Sequence, residues 1–353
     1  MITVFTPSFA DEGDTNAQNL SVKEIVARLS PAEFRVVMLY EAAPDPRIAA
    51  RPNTHLLRWR RRGNTLRILA RCLREIPDVY FYPREGPLDA GFLQVRRLLG
   101  LKTAVVTHVV TGGLYRDAPR PTLARNICEA DAVFANSHYL SRLVRERLGV
   151  NAGTIHNGID RRYFFPADGQ GARSSQQPPV VLYAGSFRPY KRVDRVVRQA
   201  ARWPQVQFRI AGVGEELQKC RNLAQQLGCT NVEFVGHLTL QQLGDVMRQA
   251  DIFFFPSDTE GHPQVLGQAA ACGLPTVSMN VYRPDYVVNG ETGFLAGSDE
   301  ELGQKLDLLI AQPELRASMG KAATVHARKF DWDTATEQWQ RAFEEVVAKR
   351  KRN

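Results

Sequence analysis

The sequence predicts an α/β protein built from two doubly wound parallel sheets, one in each half of the 353-residue chain. Three observations predict it. Short apolar runs alternate with amphipathic stretches over nearly the whole length. The runs are continuous, as strands covered on both faces require. The rhythm breaks at residues 166–179, PADGQGARSSQQPP, where apolar residues nearly vanish and a linker is expected.

In the first half, ITVFTP (2–7) precedes a helical pattern at Leu20, Ile25, Val26 and Leu29. FRVVMLY (34–40), a helix at 64–76, DVYFYP (78–83) and a helix at 88–99 follow. TAVVTHV (103–109), a helix at 121–129, AVFANS (132–137), a helix at 138–148 and GTIHNG (153–158) complete this half. After the linker the expected strands are VVLYAGS (180–186), VQFRIAG (206–212), VEFVGH (232–237), DIFFFPS (251–257) and PTVSMN (275–280), with amphipathic helices between them. From Trp332 to Lys349, the residues Ala335, Trp339, Ala342, Phe343 and Val346 fall at helical spacing. The expected domains are 1–168 and 178–330, with the 332–349 helix last. Ligands of open α/β sheets bind at the carboxyl ends of strands, so a site is expected in a cleft between the domains.

Composition narrows the class. A chain that is 44% hydrophobic and 24% charged is neither disordered nor a small disulfide scaffold. No run of apolar residues is long enough for a transmembrane helix, and the N-terminus lacks the basic start of a signal peptide. Cys72, Cys128, Cys220, Cys229 and Cys272 are scattered, with no C-x-x-C pair, and read as reduced, buried thiols in a cytoplasmic protein. The net charge is +9, and residues 1–165 carry 24 Lys+Arg against 16 Asp+Glu. Such a bias concerns partners rather than fold.

Four loops after strands carry candidate chemistry. GSFRPYKRVD sets Gly185 beside Arg188, Lys191 and Arg192, and cations at a glycine turn suit a pyrophosphate. SDTEGHPQVLGQAAACG places Glu260 and Gly261 in a loop, with Pro263 opening a helix that carries Gln268. That helix N-terminus suits phosphate or sugar oxygens, and Glu260 suits sugar hydroxyls. His108 ends a strand before a glycine pair, as a polar contact or proton carrier. In the first loop, Gly13, Asp14, Asn16 and Gln18 are candidate ligand contacts.

These words in this order resemble glycosyltransferase family 4. YAGSFRPYKRVD, FRIAGVGEE, QAAACGLPTVS and VNGETGFL carry the resemblance in the second half; VVTHV, ADAVFANSHYL and GTIHNGID carry it in the first. The resemblance implies the GT-B fold, two Rossmann-like domains facing across a cleft, with the last helix returning to the first domain. It implies a retaining transferase that uses a nucleotide sugar and needs no metal or other cofactor. By this resemblance Lys191 and Arg188 neutralise the leaving diphosphate, Glu260 holds a donor hydroxyl and His108 contacts the sugar near the reacting carbon. Backbone N–H groups of His262, Gln264 and Val265 meet sugar and phosphate, and Gly212 and Gly236 end strands near the nucleotide. Gly13 and Asn16 fall on the acceptor side. No Asp-x-Asp metal motif is seen.

Three departures stand out. The family's second glutamate, which receives the ribose hydroxyls, is Gln268 here, and a neutral amide binds less strongly than a carboxylate. The frequent Gly-Arg is Gly185-Ser186, and the first loop lacks a Gly-Gly pair.

Residues 58–75 hold Arg58, Arg60, Arg61, Arg62, Arg67, Arg71 and Arg74, with Trp59 among them. A basic amphipathic surface of this kind suits an anionic membrane, while no nucleic-acid motif accompanies it. The reading is therefore a glycosyltransferase of hexosyltransferase type, using UDP in preference to GDP, with a glycan or lipid-linked acceptor in envelope or exopolysaccharide synthesis. Its expected place is the cytoplasm, at the inner face of the membrane. The alternatives are a catalytically weak binding protein and a sugar-nucleotide epimerase.

Overall fold

The computed structural model describes residues 1–12, 17–60, 64–82, 86–110, 121–167 and 178–352. Gly13, Asp14, Asn16, Arg61 and Arg62 lie outside the described residues. The chain forms two compact units: residues 1–158 with 332–353, and residues 159–331.

The first unit runs β1 (Ile2–Phe9), α1 (Ala17–Arg28), β2 (Phe34–Tyr40), α2 (Pro46–Ala49), β3 (Thr54–Arg58), α3 (Asn64–Arg74), β4 (Val79–Phe81), α4 (Pro87–Leu98), β5 (Ala104–Val109), α5 (Pro121–Cys128), β6 (Ala132–Ala135), α6 (His138–Leu148) and β7 (Gly153–Thr154). Among the described residues its sheet has the order β3-β2-β1-β4-β5-β6-β7, and its ladders are parallel. Adjacent residues of β1 serve opposite cores. Val4 joins Val36, Val79 and Val106 on one face, and Phe5 joins Val37, Tyr80 and Val105 on the other. This is why the strands read as unbroken apolar runs.

The second unit runs β8 (Val180–Ala184), a 3-10 turn (Pro189–Lys191), α7 (Val193–Arg202), β9 (Gln207–Ala211), α8 (Leu217–Gln226), β10 (Val232–Gly236), α9 (Leu240–Arg248), β11 (Ile252–Phe255), α10 (Gln264–Ala271), β12 (Thr276–Met279), β13 (Gly293–Ala296), α11 (Asp299–Ala311) and α12 (Pro313–Ala327). Its parallel sheet has the order β10-β9-β8-β11-β12-β13. One device recurs in both sheets. Asp78, Asp131 and Asp251 each precede a strand and accept a neighbouring strand's N–H, from Thr3 (2.8 Å), Val105 (2.7 Å) and Val180 (2.7 Å).

The last helix, α13 (Trp332–Arg352), belongs to the first unit. Trp339 and Phe343 are buried there, and the Phe81 ring lies 4.9 Å from Trp339 and 5.0 Å from Phe343. The boundary falls at Gly158–Ile159 rather than at 168. The reason is local bonding: Ile159 N donates to Phe330 O (2.9 Å), and Tyr163 O accepts from Arg248 Nη1 (2.8 Å).

Two strands escaped the sequence reading. β3 and β13 each lie at one edge of their sheets; β3 is only half-buried and β13 has four residues, so neither carries a long apolar run. Pro263 is the N-cap residue of α10, one position ahead of its expected place. The cysteines are free, and Cys128 is exposed and Cys229 half-buried rather than buried. Burial pushes the Cys72 and Cys272 thiols up to about 12, so neither offers a thiolate near neutral pH. Among the described residues, no helix is long and apolar enough to cross a membrane.

Candidate active site

The second unit brings its unusual polar residues together at the carboxyl ends of its strands. Lys191 closes the 3-10 turn after β8, and Glu260 sits in the loop after β11. Lys191 Nζ lies 2.5 Å from Glu260 Oε1, and both side chains are almost buried. Ser257 Oγ donates to the same Oε1 (2.7 Å), which fixes the carboxylate from a second side. Lys191 Nζ also stands 5.1 Å from the Phe255 ring centre and 5.5 Å from that of Tyr190. Aromatic walls lower the local dielectric and strengthen the attraction of this cation for any anion beside it.

Further ion pairs tie the two loops. Arg192 pairs with Asp194 (3.0 Å) and Asp258 (3.2 Å), and Arg195 pairs with Asp258 (2.6 Å) and Asp299 (2.5 Å). Arg195 Nη1 donates to Pro256 O (2.8 Å) as well. Arg192, grouped in the sequence with the phosphate cations, thus has carboxylate partners. Ser257, Asp258 and Arg195 were not foreseen. Their only sequence signal was polar character next to the two chosen loops.

Gly185, Gly212 and Gly236 also meet. Gly212 N donates to Gly236 O (2.7 Å), and Gly185 N donates to Ala211 O (3.0 Å). Gly212 has a φ of +133°, and a Cβ there would stand 1.9 Å from Gly185 O. Only glycine fits this crossing of backbones. Gly214, which the sequence reading passed over, is equally confined: a Cβ would fall 2.6 Å from Phe187 O. Its signal was the second glycine of GVG.

Gly261, Gln264, Val265 and Gln268 are half-buried at or on α10, whose N-cap residue Pro263 supplies no side-chain cap. First-turn N–H groups of such a helix point outward as donors. His262 is buried, stacked on Tyr286 at 4.0 Å, with Nε2 3.9 Å from Asp285 Oδ2. Arg188 is exposed at the start of the 3-10 turn, beside a small pocket with Glu216 and Lys219.

In the first unit, His108 is buried within β5. Its ring meets Trp339 (4.8 Å) and Tyr82 (5.6 Å). The backbone of Ile155 is the polar group beside the ring. Burial pushes its pKa down to about 3, so the imidazole is neutral near pH 7 and suits a polar contact rather than a proton carrier. Tyr82 adopts a φ of +61°, an unusual conformation for a bulky residue. The sequence does hold one Asp-x-Asp spacing, Asp331–Trp332–Asp333, and Arg28 Nε donates to the Asp333 carboxylate at 3.1 Å.

Two doubly wound parallel units, each with its polar loops at the carboxyl ends of strands, define a GT-B protein. The chain belongs to glycosyltransferase family 4: a model described as glycosyltransferase family 4 matches residues 18–163, and one described as glycosyl transferases group 1 matches residues 166–326. The D-inositol 3-phosphate glycosyltransferase of Mycobacterium tuberculosis strain H37Rv is 33% identical over 265 residues, which cover 67% of this chain and 55% of that relative. The chain thus spans about half the length of the curated relatives it matches. Sucrose-phosphate synthase from Thermosynechococcus elongatus superposes with a TM-score of 0.79 at 19% identity, covering 99% of this chain and 100% of that one. HepE from Anabaena, crystallised with UDP and glucose, superposes with a TM-score of 0.77 at 18% identity, covering 98% and 99%. Both likenesses bear on the fold.

Proposed function

We propose that this chain is a glycosyltransferase that moves a sugar from a nucleotide sugar to a glycan or glycolipid acceptor, with retention at the anomeric carbon and no need of a metal. The observation that carries the reading is the Lys191–Glu260 pair at 2.5 Å, just ahead of α10. When the bond from the anomeric carbon to the diphosphate oxygen breaks, its electron pair stays on that oxygen. Lys191, Arg188 and the first N–H groups of α10, including those of Gln264 and Val265, form a preorganised positive region for that charge. Glu260 holds a sugar hydroxyl through its carboxylate. Gly185, Gly212 and Gly236 let a nucleotide approach the backbone, and Gln268 takes the ribose hydroxyls. His108, neutral near pH 7, is the residue that the family resemblance assigns to the sugar near the reacting carbon. The acceptor hydroxyl then attacks on the face the diphosphate leaves, as the family resemblance implies, and its proton passes to the departing diphosphate oxygen.

UDP is the preferred nucleotide, in line with the UDP seen in the Anabaena protein. The setting is envelope or exopolysaccharide synthesis at the inner membrane face, with the arginines of α3 toward anionic lipid. Ile68 and Cys72 of α3 are used up in the core, while Leu66 is exposed beside the arginines, so the attachment combines electrostatic attraction with one exposed apolar side chain.

A thermal-shift panel of UDP-, GDP-, ADP- and dTDP-sugars, without and with Mg²⁺, tests the reading. A selective shift of the same size in both conditions is expected. A ligand at 100 times its dissociation constant adds about 2.7 kcal/mol, which such a scan resolves. No shift with any donor would overturn the donor site.

A further inference from the structure

β3 is an outer strand of the first sheet, and α3 runs beside it. Between them lies a groove of about 550 Å³. Arg58 and Arg60 line it at the end of β3, and Arg67, Arg71 and Arg74 line it from α3. The α3 arginines fall at spacings that share one helical stripe, with Ala70 leaving a hollow between them. Glu75 bridges Arg71 (2.6 Å) and Arg35 (3.1 Å). Arg58, Arg60, Arg67 and Arg74 are exposed.

Like charges brought around a concavity repel, and an anion in the groove relieves that repulsion. The choice of cation narrows the anion. Among the described residues, five guanidiniums and no lysine line the groove. Planar guanidinium forks match the oxygens of a phosphate in pairs, whereas ammonium groups act as point charges. The groove is also the size of a small-ligand site rather than of an extended polymer track.

We infer that the groove between β3 and α3 binds a phosphomonoester or diphosphate group, carried by a soluble phosphosugar or by a lipid headgroup. The site deepens the acceptor-side reading of this unit and rests on that reading for its place in the reaction. Binding itself is measurable without the reaction.

The test is a calorimetric titration of the full chain with inorganic pyrophosphate. Lys191→Ala is the background, so that the donor site contributes little. Adding Arg67→Gln and Arg74→Gln, both at exposed positions, is expected to weaken pyrophosphate binding at least about tenfold with an unchanged melting temperature. Equal binding in this variant, or no binding in the background chain, overturns the inference. So does competition by polyglutamate as strong as by pyrophosphate itself. Vesicle pelleting separates the sources. Pelleting by phosphatidic acid vesicles that is lost in Arg67→Gln/Arg74→Gln places the group on lipid. Pyrophosphate binding without pelleting places it on a soluble ligand. Equal pelleting by phosphatidylserine vesicles of matched charge, without pyrophosphate binding, reduces the groove to diffuse electrostatics and overturns it. Failure of the nucleotide-sugar panel with pyrophosphate binding intact would count against the donor site alone.

Discussion

Lys191 Nζ and Glu260 Oε1, from loops 69 residues apart in sequence, stand 2.5 Å apart at the carboxyl edge of the second sheet. In the proposed reaction, removing either partner strips the leaving diphosphate of its cation or the donor sugar of its hydrogen-bond acceptor. Lys191→Ala and Glu260→Ala are each expected to lower turnover at least about a hundredfold, or about 2.7 kcal/mol of transition-state stabilisation. Steady-state kinetics with circular dichroism as a folding control checks this. Wild-type rates in both variants would sink the assignment.

Gln268→Glu should tighten donor binding about tenfold, because a charged acceptor adds about 1 kcal/mol or more over a neutral one. A calorimetric titration with the nucleotide sugar chosen by the thermal-shift panel measures it. An unchanged dissociation constant would show that Gln268 does not meet the ribose.

The buried His108 makes the first unit sensitive to acid. Its folded pKa, about 3, lies below the ordinary value of 6.5, so the unfolded chain takes up the proton first. Stability is therefore unaffected above pH 6.5 and falls as pH drops from 6.5 toward 3, by about 1.4 kcal/mol per unit. Between pH 7 and pH 5 the wild type should lose about 2 kcal/mol more than His108→Phe. Urea unfolding at the two pH values decides it, and equal losses would contradict the burial argument.

Gly212→Ala places a Cβ against Gly185 O in a strained backbone, and Gly236→Ala at φ +85° meets nothing within 4 Å. The first should cost about 3 kcal/mol or more. The second should cost about 1–2 kcal/mol, for its left-handed backbone alone. Urea midpoints of the second unit rank them, and equal costs would contradict the crossing described for β8 and β9.

Much of this was legible before any coordinates. The buried strands announced themselves because both faces of each sheet are covered, and the loops that follow them carried the family's words. The outer strands β3 and β13 were not legible, since one edge without a partner permits polar and short sequences. Trp59, set among arginines in the sequence, turns inward against Phe9 at 6.3 Å. A residue's neighbours in the chain do not say which way it faces where the strand period is broken.

By itself the sequence determined the alternation of strand and helix, the two-unit plan and the chemical character of the loops. These depend on local periodicity and turn chemistry. Only the tertiary structure decided that Lys191 meets Glu260, that Arg192 turns to Asp194 and Asp258, and that His108 is sealed beneath Trp339 of the returning helix. Those contacts follow from sheet order, in which β8 lies between β9 and β11, and from a helix that rejoins at Trp332 a unit the chain left at Gly158. Linear spacing carries no record of either, because packing pairs surfaces by shape and apolar area rather than by position along the chain.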